Sequence, residues 1–385
     1  MSLSAHAQWE MQNSHTTADL RGIHNVGDGV AWASGTNGTI LRTEDGGYLW
    51  QVCAIPPGAE NLDFRGIQAF DANTAIVMSS GKGDLSRLYK TTDGCNSWKQ
   101  VFANPYSPDG FFDAILFLDA RRGILLGDPS DDRGTHPLEK AGYFRVRVTH
   151  DSGETWGPVT SPDVKPGNGL HALGDESAFA ASNSSIASFG GWFWLGTSAS
   201  RVTSRRLYPS EATPENLFRV GAAMGTPDPI SGQPGQSWHD LHDASVPIAH
   251  SSPSAGIFAL SFRDSEVGIA VGGDYRNPSE SKSSCASTRD GGKTWHSAQT
   301  PPHGYRSSVA YDAQSKTWIA VGPNGTDVSI DDGHTWRALH PVRVLYESPD
   351  ADRNWNALSL PFVVGPHGRI GKLHDQTLSR QSSHP

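Results

Sequence analysis

The 385-residue chain has no apolar run of the roughly 18 residues that a membrane-spanning helix needs. It has only three cysteines, Cys53, Cys95 and Cys285. At most one disulfide can form, no Cys-x-x-Cys pair is spaced for a metal, and the thiols read as structural or free. Charged residues are only 18% of the chain, and acids outnumber bases 40 to 31. The resulting net charge of −9 argues against nucleic acid, because phosphate binding needs a basic surface. Abundance lies elsewhere: 42 Gly and 25 Pro suit many turns between short strands, and 12 Trp supply packing.

One eight-residue phrase recurs. It reads Thr43-Glu-Asp45-Gly-Gly47-Tyr-Leu-Trp50, Thr91-Thr-Asp93-Gly-Cys95-Asn-Ser97-Trp98 and Thr149-His-Asp151-Ser-Gly153-Glu-Thr155-Trp156. It returns as Thr288-Arg-Asp290-Gly-Gly292-Lys-Thr294-Trp295 and Ser329-Ile-Asp331-Asp-Gly333-His-Thr335-Trp336. A fixed phrase at such spacing marks a repeat architecture. The Asp carboxylate can accept backbone N–H bonds in a tight turn, the Gly can take positive φ, and the Trp packs between sheets. The pattern resembles the Asp-box (bacterial neuraminidase) repeat, which joins the third and fourth strands of β-propeller blades. That resemblance makes the Asp residues turn-builders, not catalysts. In the long gap after Asp151, Ser231-Gly-Gln233-Pro-Gly235-Gln-Ser237-Trp238 keeps every slot but the Asp and reads as a decayed copy.

Seven short apolar runs, most ending in Gly, precede these phrases or stand in for them, from Val30–Gly35 to Pro361–Pro366. They read as buried strands. The expected fold is therefore all-β: one seven-bladed propeller of four-stranded antiparallel blades over 1–375, with 376–385 a disordered tail. The fourth blade carries an insertion around Tyr208 to Pro234. The last blade lacks a phrase of its own, and Trp9 aligns with the repeat tryptophans. Residues near Ala7 to Gln12 are thus expected to pair near Arg369 to Leu373 and close the ring, which removes free edges.

Innermost strands should begin soon after each tryptophan. One slot in them holds Arg21, Arg65, Asp113, His171, Phe258, Arg306 and Asn356. Strand alternation would turn this slot toward the central channel. Loops opening on the same face add Lys82, Asp84, Asp128, Asp131, Asp132, Asp274, Tyr275 and Arg276. Three arginines could fork onto carboxylates or phosphates. Equally, they could pair with the nearby acids and line a water-filled channel. His239-Asp240-Leu241-His242-Asp243 lacks a second anchored ligand group and is read as loop rather than metal site. The triplets at Asn37, Asn183 and Asn324 match glycosylation sequons and are assigned no function. Ala5-His-Ala7 has the shape of a signal-peptidase site, but no apolar region precedes it; the expectation is an exported protein, periplasmic or secreted, that was trimmed and given a short new start.

Leu/Phe-Arg-Gly-Ile strand starts, Ala-Val-Gly-Gly-Asp274-Tyr275, Gly304–Tyr311 and Val364–Ile370 resemble the photosystem II stability/assembly factor family from about Trp9 to Leu373. The resemblance implies a non-catalytic, exported, protein-binding scaffold. It implies no cofactor and no metal; the expected state is a monomer whose mouth takes another protein or an anionic ligand. The long Asp128 to Tyr143 loop and the fourth-blade insertion depart from that family. The competing class is a sialidase-like glycosidase acting on an anionic sugar. There Arg21, Arg65 and Arg306 would form the arginine cluster, Asp113 or Asp128 the acid, and Tyr275 or Tyr305 the nucleophile. Against it, Arg21-Gly22-Ile23 stands where sialidases carry Arg-Ile-Pro.

Overall fold

The computed structural model describes residues 8–105, 108–129, 142–158, 170–172, 174–190, 192–198, 203–207, 242–250, 252–339 and 350–374. The chain opens with β1 (Trp9–Gln12) and then lays down sheets in sequence. The first comprises β2 (Leu20–Gly27), β3 (Val30–Gly35), β4 (Ile40–Thr43) and β5 (Gln51–Val52). The second is β6 (Phe64–Ala69), β7 (Ala75–Ser79), β8 (Arg87–Thr91) and β9 (Lys99–Ala103). The third is β10 (Phe112–Phe117), β11 (Gly123–Gly127), β12 (Arg145–Thr149) and β13 (Gly157–Pro158). The fourth is β14 (Ile186–Phe189), β15 (Trp192–Gly196), β16 (Thr203–Leu207) and β17 (His242–Ser245). The fifth is β18 (Ala255–Phe262), β19 (Gly268–Asp274), β20 (Cys285–Thr288) and β21 (His296–Ser297). The sixth is β22 (Ser308–Asp312), β23 (Thr317–Gly322), β24 (Gly325–Ser329) and β25 (Arg337–Leu339). In the last, β26 (Ala357–Ser359), β27 (Phe362–Val364) and β28 (Ile370–Leu373) accept β1 as their outer strand.

All of these pairings are antiparallel. The innermost strands β2, β6, β10, β14, β18, β22 and β26 pack on one another in that order, and β26 returns to β2. The molecule is a β-propeller of four-stranded antiparallel blades. Closure is made by β1, whose Trp9 faces Leu373 and whose Gln12 faces Ile370. The first and last of the described strands thus share one sheet.

The repeated phrase builds one turn five times over. In the third copy the Gly153 N–H donates to Thr149 Oγ1 (2.9 Å), the Thr155 N–H to Asp151 Oδ1 (3.0 Å) and the Thr155 hydroxyl to Asp151 Oδ2 (2.6 Å). Gly153 sits at φ +79°, where a side chain would be strained. Each tryptophan then packs on the preceding blade. Trp50 meets Phe362 edge-on at 5.5 Å and Trp98 meets Trp32 at 6.4 Å, while Trp156 shares a core with Ile76 and Met78 of the second blade and meets Phe117 of its own blade at 5.8 Å. Trp9 does the same from β1: its indole N–H donates to Thr326 of β24 at 3.0 Å.

Cys95 occupies the glycine position of the second turn at φ +64° and forms a disulfide with Cys53, just past β5. The bond ties the first blade to the second. Cys285 is a buried free thiol whose pKa burial pushes up to about 12. The decayed copy around Gln233 and Trp238, most of the insertion and the 376–385 tail lie outside the described residues.

The expected start of the fourth blade needs correction. Leu170–Leu173 is not the innermost strand of the fourth blade. Instead Phe144 N–H bonds Leu170 O and Ala172 N–H bonds Gly142 O, so residues 170–172 extend the third blade ahead of β12. The true innermost strand is β14, where Ile186 faces Leu195 as Ile23 faces Ala33 in the first blade.

Candidate functional site

The mouth of the channel is built from bulges. In β2 the register passes from Leu20↔Gly35 to Gly22↔Ser34 and leaves Arg21 unpaired. The same skip isolates Arg65 in β6, Asp113 in β10 and Phe258 in β18. A bulged residue is released from the ladder and its side chain is re-aimed, here where each strand meets the channel rim. Leu20, Phe64, Phe112 and Ile257, one residue earlier, are buried between blades.

A cavity of about 590 Å³ opens there. Arg21, Arg65, Phe258 and Asn356 line it, joined by Asp128, Tyr275, Tyr305, Ser307 and the stretch 177–181. Arg65 Nε donates to Asp63 Oδ2 at 2.8 Å. Arg21 lies 3.7 Å from the other oxygen of Asp63 and 3.8 Å from Asp19. Two half-exposed guanidiniums therefore lean on one shared carboxylate, and most of their donors have no protein partner among the described residues. Asn356 donates through its side-chain amide to Leu20 O (2.8 Å) and fastens the last blade to the first.

Asp113 is not in the cavity wall. It is fully buried, and neither carboxylate oxygen has a hydrogen-bond partner among the described residues. Burial raises its pKa well above the usual carboxylate range; the Asp128 charge adds to the rise and Arg65 opposes it. Asp128 does face the cavity, and its Oδ1 accepts the Ala178 N–H at 2.9 Å. Burial pushes Asp128 up to about 7 despite that bond.

Arg306 is not a mouth donor. Its N–H bonds Gly272 O of the preceding blade, as Leu20 N–H bonds Gly365 O and Trp355 N–H bonds Gly322 O. Arg306 thus stands where Leu20 and Trp355 stand, and Ser307 holds the slot. A one-residue shift in register moves a side chain to the opposite face. Arg306 is fully buried and donates from Nε to Asp327 Oδ2 at 2.8 Å. Asp327, also fully buried, accepts from His303 Nδ1 at 2.6 Å when that nitrogen carries the proton.

The remaining expected residues divide. His171 is exposed beside the third blade, its ring edge-on to Tyr143 at 4.9 Å, and does not line the cavity. Asp274 accepts the Arg276 N–H (3.0 Å) and the Ser252 hydroxyl (3.3 Å). Its pKa is lowered, first by the Ser254 hydroxyl, and it forms a turn rather than cavity wall. Arg276 lies 6.0 Å over the Tyr275 ring. Tyr275 lines the cavity, as does Tyr305, whose phenol burial pushes upward. Lys82 and Asp84 pair locally, with Asp109 at 3.9 Å and Arg87 at 3.5 Å. Asp131, Asp132 and Trp238 lie outside the described residues.

Sequence reasoning missed the stretch 177–185, which enters the mouth before β14 begins. The only signal was the extra length between the third phrase and Trp192.

No protein-family profile and no curated protein matches the sequence. Solved structures do. The fold is similar to that of YCF48. One such structure is YCF48 bound to D1 peptide, 16% identical with a TM-score of 0.60 over 96% of this chain and 97% of that one. Another is YCF48 from Cyanidioschyzon merolae, 16% identical with a TM-score of 0.57 over 96% of this chain and all of that one. An ancestral GH74 enzyme is similar at 12% identity and a TM-score of 0.52, over 97% of this chain but 47% of the enzyme. At these identities the likeness concerns fold, and fold hosts many functions.

Proposed function

We propose that this chain is a non-catalytic, exported propeller that binds a partner protein through the mouth formed around Arg21 and Arg65. One observation carries the reading: two guanidiniums at the cavity share the carboxylate of Asp63, with Asp19 a looser contact of Arg21, and keep donors for an acidic group of a partner. The whole-chain likeness to YCF48 bound to D1 peptide supports it as a fold precedent for peptide binding. The Cys53–Cys95 disulfide supports a periplasmic or secreted locale, since such bonds persist in oxidising compartments.

The glycosidase reading is weaker on geometry. Arg306 is spent on Asp327, Asp113 cannot reach the cavity, and no glutamate lines it among the described residues. What favours it is Asp128, raised to about 7 at the cavity wall, which suits a general acid.

The test is affinity capture with native extract, comparing wild type with the Arg21→Glu/Arg65→Glu double variant. The reading expects a polypeptide retained by the wild type and lost from the double variant. Retention that ignores both arginines overturns it. So does turnover of a fluorogenic sialoside or aryl glycoside that Asp128→Asn abolishes.

A further inference from the structure

The stretch 177–185 does more than lead into β14. Ser182 Oγ accepts the Ile23 N–H of the first blade at 3.3 Å. The Asn183 side chain donates to Ile67 O of the second blade (3.1 Å) and accepts the Ile115 N–H of the third (3.1 Å). Ser184 accepts the Leu260 N–H of the fifth through its carbonyl (2.8 Å) and donates to Phe258 O (3.2 Å). Ile23, Ile67, Ile115 and Leu260 each lie two residues past the bulge in their strand. Only a segment crossing the channel one pleat below the rim can reach four other blades in this way. Ser182 and Asn183 hold positive φ there, +54° and +65°, a cost that several hydrogen bonds sustain. Gly66 answers Asn183, because a Cβ at that position would lie 2.3 Å from the Asn183 amide oxygen.

The channel is therefore stopped just under its mouth, and Ala180 and Ala181 contribute to the cavity wall beside that stopper. The cavity is a blind pit, not a bore. Its volume falls within the roughly 300–1,000 Å³ of pockets that take small ligands or single groups. Its walls differ in chemistry. One carries Arg21 and Arg65, and the lining also includes the carboxyl of Asp128. The other is aromatic: Phe179 stacks on Phe258 at 3.7 Å, and Tyr275 stands edge-on to both at 6.4 and 6.1 Å. Tyr275 is 46% exposed, a large aromatic face left open at the rim.

We propose that the pit receives, end-on, an aromatic group carrying a carboxylate, with its ring against Phe179, Phe258 and Tyr275 and its carboxylate on Arg65 and Arg21. The proposal rests on the mouth reading above and narrows its ligand to an aryl acid. A blocked floor excludes a threaded strand and admits only a tip. Aromatic pairs add attraction beyond area burial, and paired guanidinium bonds fix the charged end. Such a tip is either a free aromatic acid or the end of a polypeptide.

Binding of 3-phenylpropionate, propionate, N-acetylphenylalanine and N-acetylphenylalaninamide to the full chain, followed by calorimetry or NMR titration, tests this. The expected result is 3-phenylpropionate at least tenfold tighter than propionate. Arg65→Ala should weaken the two acids with rings at least fivefold and leave the amide unchanged. Ala181→Leu should fill the floor and weaken every aromatic probe. Should that variant misfold, Tyr275→Ala at the exposed rim should weaken the same probes at least threefold. N-acetylphenylalanine binding above 3-phenylpropionate identifies a chain end, and the reverse identifies a free acid. Equal binding of propionate and 3-phenylpropionate, or indifference to both Ala181→Leu and Tyr275→Ala, overturns the proposal. If 3-phenylpropionate fails while partner capture still depends on Arg21 and Arg65, the pit is wrong and the mouth stands. If it binds while capture ignores the arginines, the mouth reading is the one that falls.

Discussion

Arg306 and Asp327 form an ion pair inside the sixth blade, 2.8 Å from Nε to Oδ2, with neither residue reaching solvent. The equivalent places hold Leu20 and Leu41 in the first blade, and Phe64 edge-on to Tyr89 in the second. A charge pair thus replaces an apolar contact. Removing one partner strands the other, so Arg306→Ala should cost about 3–5 kcal/mol. The double change Arg306→Leu/Asp327→Leu, copying the first blade, should recover most of that loss. Urea unfolding monitored by tryptophan fluorescence measures both. A mouth role for Arg306 would instead show as lost binding with little change in midpoint.

This pair also shows where the sequence was legible and where it was not. Blade starts in the first, second, third and fifth sheets read correctly because Leu20, Phe64, Phe112 and Ile257 are apolar, and the bulged residue follows them. In the sixth blade the apolar place is taken by a charge, so the sequence pattern puts Arg306 in the channel-facing slot that Ser307 holds. Only the buried partner Asp327, 21 residues on, makes arginine tolerable there, and no local pattern announces it. The fourth blade failed for another reason. Its chain arrives across the channel, so Asn183, a polar residue bonded to two other blades, stands where a strand-starting apolar residue was sought. The turns were legible because each is local in sequence, and the Trp9 closure, which joins distant ends of the chain, because Trp9 matches the repeat tryptophans while the last blade lacks a phrase of its own.

Asp113 is expected to destabilise the fold at neutral pH. Its folded pKa is raised, so the folded state holds a proton that the unfolded chain releases near pH 4. The Asp113 contribution to stability is therefore greatest below the unfolded value and is lost as pH rises through the folded value. Asp113→Asn should flatten that decline and raise stability at pH 7 by up to about 3 kcal/mol, the usual cost of a buried group without a partner. Melting temperatures of both proteins from pH 4 to 8 decide it. A variant that is less stable at pH 7 would show that the carboxylate has a stabilising role.

The repeated turns predict the opposite slope in acid. The Ser97 hydroxyl and N–H hold Asp93 down at about 2. Burial raises Asp151, but bonds from Thr155 and Thr149 outweigh it and bring it to about 2. Their contribution is complete above about pH 4 and is lost as pH falls toward 2. The first turn has Leu49 where the others carry Ser or Thr, so Asp45 keeps the Leu49 N–H bond (3.0 Å) and the Thr43 hydroxyl bond (2.8 Å) but lacks the second hydroxyl bond. Leu49→Thr should supply it. Carboxyl NMR titration should then show Asp45 moving to lower pKa; an unchanged value would mean that the hydroxyl adds nothing.

Ring closure rests on β1, and Trp9 is its anchor. The side chain is buried between the sixth and last blades, bonded to Thr326 and 5.8 Å from the Trp355 ring. Its sheet partners run from Leu373 at Trp9 to Ile370 at Gln12, so loss of this strand would bare the full edge of β28. Trp9→Ala should cost about 3–5 kcal/mol, as for other buried tryptophans. Trp9→Phe, which keeps the ring but not the Thr326 bond, should cost about 1 kcal/mol from the bond alone, plus whatever the smaller ring leaves unfilled. Deleting residues 8–12 should match or exceed the alanine variant and speed hydrogen exchange at Ile370 to Leu373 while sparing the first-blade strand β3. Exchange that rises equally in all blades would show that the ring opens as one unit rather than at this seam.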